Sequence, residues 1–309
     1  TKLYCNSNQL TSLDVSDNIN LVRLAVYGNG LDSLNTSTNI YLQYLECRYN
    51  GLSFLDFSQN PNMLSLLISG NPINTLDISH NNLLKDLSCA GNGLDSLNLS
   101  NNPLLTFLWC SVNQISNLDL TNNPLLTDVW CGNNHLDTLD ISTNLLIEDL
   151  RFSNNNISQI DVSVHQQLQK IQCLSNNLTS LDLSNNPLLL VLTCQDNILT
   201  SLDIRNGNNL NMRTDIFFNV TNNPNLYCID VDDVAWSDTN WTVANGNIDS
   251  TMSFSINCAT AFGCLDPLAC NYDSIATISD GGCNYPTSNS TAQTSCDSYT
   301  WNGNTYTTS

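Results

Sequence analysis

The sequence predicts a stacked-repeat solenoid, closed at its C-terminal end and followed by small cysteine-containing units. Three observations carry that prediction. The first is a fixed period: residues 105–125 read LTFLWCSVNQISNLDLTNNPL and residues 126–146 read LTDVWCGNNHLDTLDISTNLL, so Cys110 and Cys131, Asn113 and Asn134, and Asp119 and Asp140 recur at a spacing of 21. A constant period of this length marks an array of identical supersecondary units. The second is a set of apolar columns at that period, running from Leu3 to Leu192, from Leu10 to Leu199 and from Leu13 to Leu202, with Asn8 to Asn197 filling another without a gap. The third is physical. No single unit can bury its own leucines, so the units are stable only when stacked.

Each unit reads L-x-x-L-x-C-x-x-N-x-L-x-x-L-D-L-S-x-N, and ten successive units match it. This pattern resembles the leucine-rich repeat family in its short bacterial 21-residue form, over residues 1 to about 226. The resemblance implies one short strand per coil at L-x-x-L-x-C, stacked into a parallel sheet on the concave side. It also implies that the L-x-x-L-D-L half crosses the convex side as a second short extended segment. With about 4.8 Å between strands, the coils make a rod roughly 50 Å long.

The polar and cysteine columns read as structure. Asn at the strand-to-turn corner is expected to satisfy its amide on backbone groups of its own and the adjacent coil. Cys5, Cys47, Cys89, Cys110, Cys131, Cys173 and Cys194 share a column with Val26, Ile68 and Phe152. That interchange predicts an inward-facing position holding a reduced, buried thiol that behaves as a hydrophobe. The Asp column includes Asp56, Asp77, Asp119, Asp140, Asp161, Asp182 and Asp203. In its D-x-S-x-N setting it predicts local turn bonds to backbone N–H groups. A row of carboxylates also leaves room for Ca2+, although no glycine-rich calcium repeat is present.

After Ile204 the register fails. Phe218 to Pro224 echoes Leu181 to Pro187 but comes 16 residues after Leu202, which predicts a shortened last coil. Residues 227–258 then resemble the C-terminal cap that closes such arrays in secreted proteins of Bacteroidetes. In that resemblance Trp236, Trp241 and Phe254 are lid residues, and Cys228 and Cys258, which bracket the segment, form a disulfide. Residues 259–286 contain GCLDPLACNYDSIATISDGGC and resemble a short module of large exported proteins of the same phylum, with Gly282 standing where the module has Ser. The resemblance makes Cys264 and Cys283 its constant pair and leaves Cys270 without an obvious partner. Asp266, Asp273 and Asp280 could bind calcium, but not as an EF-hand loop. Residues 287–309 resemble the start of a threonine-rich repeat, in which Cys296 would pair with a cysteine beyond Ser309. Thr1 falls inside a repeat, so the chain reads as a piece of a longer, multi-domain protein.

Composition narrows the function. The formal net charge is −20. Residues 1–226 hold 8 Lys and Arg against 19 Asp and Glu, while residues 227–309 hold nine Asp and no Lys, Arg or His. Such a surface repels nucleic acid and anionic lipid. No run of about 18 apolar residues exists to span a membrane. His80, His135 and His165 fall at loop positions, and no catalytic, P-loop or dinucleotide motif occurs. These features point away from an enzyme.

The informative surface is the outward row of the concave strands, where Trp109, Trp130 and Arg151 occupy one column on successive coils. Phe107, Asp128 and Asp149 lie two residues earlier, placed to widen the apolar floor and orient the guanidinium. Tyr44 and Arg48 anchor a second patch with Tyr27, Glu46 and Tyr49. Aromatics with Arg are typical of contact hot spots; a cross-strand ladder that only stabilises the sheet is the other explanation. The family resemblance implies a non-enzymatic binding or adhesion module of an exported surface protein, secreted by the type IX route and meeting a protein or glycan on another cell or surface. The alternative is a structural subunit of an extracellular fibre assembled by homo-oligomerisation. Asp-Ser/Thr-apolar triplets resembling a Bacteroidetes O-glycosylation sequence place candidate sugars on Ser33, Ser96, Thr138 and Ser274.

Overall fold

The structure is a computed structural model that describes residues 1–276 and 278–285, together with the backbone of short strands at Ser288–Asn289, Ala292–Gln293, Tyr299–Trp301 and Asn304–Tyr306. It is a stack of coils in which the chain returns to the same face once per repeat. Ten returns contribute three-residue strands, from Lys2–Tyr4 through Phe107–Trp109 and Asp128–Trp130 to Val191–Thr193, and with the two-residue Phe218–Asn219 they build one eleven-stranded sheet. All its pairings are parallel and in register, as in Leu108 with Val129 and Leu150 with Ile171. The central residue of each strand points inward, and Leu24, Leu66, Leu108 and Leu150 are 0% exposed. The outer two residues stay on the concave surface.

The convex half is less regular than the sequence implies. Most of its coils are extended without a ladder. A four-stranded parallel sheet forms only towards the C-terminal end, from Ser180–Asp182, Ser201–Asp203, Cys228–Asp230 and Ser253–Ser255.

Two asparagine ladders tie the coils. At the strand-to-turn corner, Asn134 Nδ2 donates to Cys110 O and Cys131 O, at 3.1 and 2.9 Å, while its Oδ1 accepts from Ile115 N at 3.1 Å. The residue before each of these asparagines is left-handed, as in Tyr49, Gly70, Gly91, Val112, Asn133 and Asn154. The second ladder is the last letter of D-x-S-x-N. Asn39, Asn60, Asn81, Asn102, Asn123, Asn144 and Asn186 are 0% exposed. Asn123 Nδ2 donates to Leu99 O and Asn102 O, at 3.1 and 2.9 Å, reaching the preceding coil. These asparagines are therefore inter-coil ties as well as turn residues. His165 stands in the same column, fully buried, with Nε2 3.1 Å from Ile141 O. Its placement in a core ladder corrects the expectation of a loop histidine.

The failure of register is an insertion, not a shortened coil. Phe218 pairs with Leu192 in the concave sheet, 26 residues on, while the loop between holds a 3-10 turn at Asn209–Asn211. Asn223 takes the ladder position, donating to Cys194 O and accepting from Leu199 N. The echo of Leu181 to Pro187 arose because an Asn-Asn-Pro follows Phe218 as it does the convex Leu.

The cap closes the open apolar end. Asp233 caps a helix at Val234–Asn240 by accepting from Trp236 N. Trp241 is fully buried and stacks on Phe218 at 4.0 Å, with Trp236 edge-on at 5.0 Å and Phe254 at 5.9 Å. Its indole N–H donates to Arg213 O. Ile229 pairs with both Leu202 and Phe254, so the convex sheet runs through the cap without a break. Cys228 and Cys258 are bonded, with Cα atoms 5.7 Å apart.

In the small module Cys264 and Cys283 are bonded, 19 residues apart. Phe262–Gly263 pairs with Ile278–Ser279. A side chain at Gly263 would meet the Cβ atoms of Ala276 and Asp273 at 2.8 and 2.9 Å, which accounts for the glycine. Cys270, for which the sequence offers no obvious partner, is disulfide-bonded. Cys296 lies outside the described residues.

Candidate functional site

The concave sheet brings Trp109, Trp130 and Arg151 onto adjacent strands at one register position. Side chains on one face of a parallel sheet at this spacing must touch or splay, and here they touch. The Trp109 and Trp130 rings meet edge-to-face at 5.7 Å, and Phe107 meets Trp130 edge-on at 5.1 Å. The Arg151 guanidinium lies 4.2 Å from the centre of the Trp130 ring. Asp149 grips it from the other side: Arg151 Nε and Nη2 donate to Asp149 Oδ1 and Oδ2, each at 2.7 Å.

Asp149 is the pivot of this cluster. It is 5% exposed, and Lys170 Nζ also approaches its Oδ2, at 3.3 Å. The bond to Asp149 holds the Arg151 pKa above its ordinary value, with further support from the charges of Asp149 and Asp128. Asp128 does not share the grip expected of it; its Oδ2 accepts from Thr127 Oγ1 at 2.8 Å, so it contributes field alone. The tryptophans are half-buried, deeper than the sequence reading has them, because they cover one another. Trp130 Nε1 is covered and has no hydrogen-bond partner.

The second patch is also assembled. Arg48 pairs with Glu46 and lies over Tyr27 at 5.8 Å. Tyr44 carries a cation that sequence reasoning passed over, Arg23, at 4.2 Å. The signal was available, since Arg23 shares the column of Phe107 and Asp128. Ala25 stands between Tyr4 and Glu46 in the outward row, and its small side chain opens a hollow of about 200 Å3 walled by Tyr4, Arg23, Tyr44 and Glu46.

Other columns stay structural. All seven column cysteines are free thiols, six of them buried. Burial pushes Cys47, Cys110 and Cys194 up to about 12, so they are poor nucleophiles. On the convex row, Asp56 and Asp140 accept from the backbone N–H of Ser58 and Ser142, which holds both carboxyls below the usual range. Asp266, Asp273 and Asp280 each cap their own turn, at Leu268, Ile275 and Gly282. Among the described residues, no group of three or more His, Cys, Asp or Glu is placed to hold a metal ion, and no helix is long and apolar enough to cross a membrane. Ser33, Ser96, Thr138 and Ser274 are all exposed.

Solved structures identify the fold. The chain is similar to the functional domain of InlJ from Listeria monocytogenes, at 27% identity and a TM-score of 0.59, over 78% of this chain and 67% of that one. That domain is described as including a cysteine ladder. An internalin, inlF, from the same organism gives a TM-score of 0.65 at 18% identity, over 82% of this chain and 86% of its own. A leucine-rich repeat protein of Leptospira interrogans gives 0.62 at 18% identity, over 82% of this chain and 65% of its own. The fold is that of leucine-rich repeat proteins. No protein-family model and no curated protein matches the chain.

Proposed function

We propose that the chain is a non-enzymatic binding module whose concave face meets a protein or glycan on another cell or surface. The observation that carries this reading is the Trp109–Trp130–Arg151 cluster. Two indoles and a guanidinium held flat by Asp149 form one contiguous, preorganised patch. A preordered contact surface loses little entropy on binding.

The bonded pairs Cys228–Cys258 and Cys264–Cys283 suit an oxidising compartment, which supports a secreted or cell-surface location. The resemblances of the cap and module add a Bacteroidetes surface protein exported by the type IX route, with O-linked sugars on Ser33, Ser96, Thr138 and Ser274 if made in that host.

Binding of the labelled chain to intact cells and to a glycan array tests the first reading. The double change Trp109→Ala, Trp130→Ala should weaken it about tenfold or more, as loss of two hot-spot aromatics does. Undiminished binding by a folded double mutant refutes it. A large fall in melting temperature would instead make the aromatic row a sheet-stabilising ladder.

A further inference from the structure

Between each D-x-S turn and the next strand the chain runs along one flank of the rod. Over nine coils, from residues 16–22 to residues 184–190, that flank carries only Asp17, Lys85 and Glu148 as charged residues, in a chain with 8 Lys and Arg and 28 Asp and Glu. It is also apolar at its crest: Leu83, Leu125, Leu145, Leu146 and Leu188 are 39–52% exposed. A single exposed leucine means little. A row repeated on neighbouring coils is a patch, and patches of this kind mark contact surfaces.

The order of residues along the crest says what covers it. The crest column, from residue 41 to residue 188 at the period of 21, is self-complementary about a midpoint between Leu104 and Leu125. One coil further out on each side stand Leu83 and Leu146; beyond them come the polar Asn62 and Gln167; beyond those, apolar Tyr41 and Leu188. Lys85 and Glu148, the two charges inside this span, lie the same distance from the midpoint on opposite sides. Both are exposed. A surface that reads the same in both directions, with opposite charges in mirrored places, is what an isologous two-fold contact requires.

We propose that two copies of this chain pair antiparallel along this flank, with the two-fold axis between Leu104 and Leu125. Leu104 then meets Leu125 of the second copy and Leu83 meets Leu146. Asn62 faces Gln167, and Lys85 forms an ion pair with Glu148 twice, once on each side of the axis. Eight coils at about 4.8 Å make the strip roughly 40 Å long, and seven residues of chain give it a width of up to about 20 Å. That is roughly 800 Å2 per copy, the size of a stable interface. The net charge of −20 drives copies apart, and the flank, with one cation and two anions of its own, adds little to that repulsion.

Sedimentation equilibrium of the whole chain, from about 1 to 100 µM, tests this over the usual range of dimer affinities. The wild type should form a dimer. Leu125→Glu, at an exposed position beside the axis, should weaken it at least a hundredfold, and Glu148→Lys about tenfold by setting Lys against Lys85. The swap Lys85→Glu, Glu148→Lys should restore the wild-type dimer, which no merely structural damage would do. Trp109→Ala, Trp130→Ala should leave it unchanged, so this contact and the concave-face reading stand or fall separately. A monomer at the highest concentration overturns the proposal, whatever else then covers the flank. So does a dimer indifferent to Leu125→Glu, or one that the charge swap fails to rescue.

Discussion

The two asparagine ladders use the same side chain at the same period and do different work. At the strand-to-turn corner the whole amide is engaged on most coils, as in Asn134, which donates to Cys110 O and Cys131 O and accepts from Ile115 N; Asn92, whose Nδ2 is buried without a partner, departs from the pattern. On the flank only the NH2 is engaged. The Oδ1 atoms of Asn39, Asn81, Asn102, Asn123, Asn144 and Asn186 are buried without a partner. The strand-side ladder therefore ties its own coil to the preceding one through both ends of the amide, and the flank ladder reaches the preceding coil through the NH2 alone. One consequence is visible in the sequence: the strand-side column is Asn throughout, whereas the flank column admits His165.

Removing a rung from each ladder should show the difference most strongly. Asn134→Ala orphans Ile115 N, at about 1–3 kcal/mol for a buried group left unpaired, and removes one of two donors from Cys110 O and from Cys131 O, which keep Asn113 and Asn155. A loss of about 3 kcal/mol is expected. Asn123→Ala removes two bonds but orphans no carbonyl, since Leu99 O and Asn102 O keep the backbone N–H groups of Asn102 and Leu105, and it also removes an oxygen that was already unsatisfied, so about 1 kcal/mol is expected on the same scale. Urea unfolding of both variants checks the order, and an equal loss would mean that the orphan oxygens carry no cost.

The orphan oxygens can also be repaired. Thr36 Oγ1 donates to Asn60 Oδ1 at 2.9 Å, the one rung of the flank ladder with that bond, and Val162 occupies the same place relative to Asn186. Val162→Thr should thus be close to neutral, its buried hydroxyl matched to a waiting acceptor. Val129→Thr, in a strand with no such acceptor, should cost about 1–3 kcal/mol. Paired melting curves decide whether the cost follows the acceptor or the burial alone. His165→Asn is the third repair: the imidazole makes one bond, to Ile141 O, and leaves Nδ1 unpaired, where Asn would make two. A gain of about 1 kcal/mol is expected.

The period made the solenoid legible, because every apolar core column repeats at 21 and interchanges only among apolar residues. It did not reveal how deep a polar column lies. Asn123 was read as turn chemistry because D-x-S-x-N explains itself locally, and nothing in the letters distinguishes a side chain bonding its own turn from one reaching the next coil. The insertion before Phe218 was misread for a related reason: Asn-Asn-Pro follows either kind of segment, so the motif sets no register by itself. At the concave face the column positions of Trp109, Trp130 and Arg151 were readable. The choice of Asp149 over Asp128 as the grip on Arg151 was not, since it depends on side-chain direction within one strand. Arg23 shares the column of Tyr44, Phe107 and Asp128, but its place over the Tyr44 ring depends on the direction of a long side chain, which the letters do not set.

The turn beneath the strand-side ladder gives the smallest and sharpest contrast. Each coil needs a left-handed residue just before its corner asparagine, and most coils supply Gly, Asn, Ser or Asp, which reach that conformation at low cost. Val112 does not. It holds φ 57° with a branched side chain that is 57% exposed, so it is strained and has little packing to lose. Val112→Asn copies the neighbouring coils at Asn133 and Asn154 and avoids the extra unfolded-state entropy that glycine would bring. The left-handed penalty for an ordinary residue is about 1–2 kcal/mol, of which a part remains for Asn, so a gain of about 1 kcal/mol is expected. The check is a rise in melting temperature with the Asn113 ladder intact. No change would mean that the ladder, and not the residue before it, sets the energy of this turn.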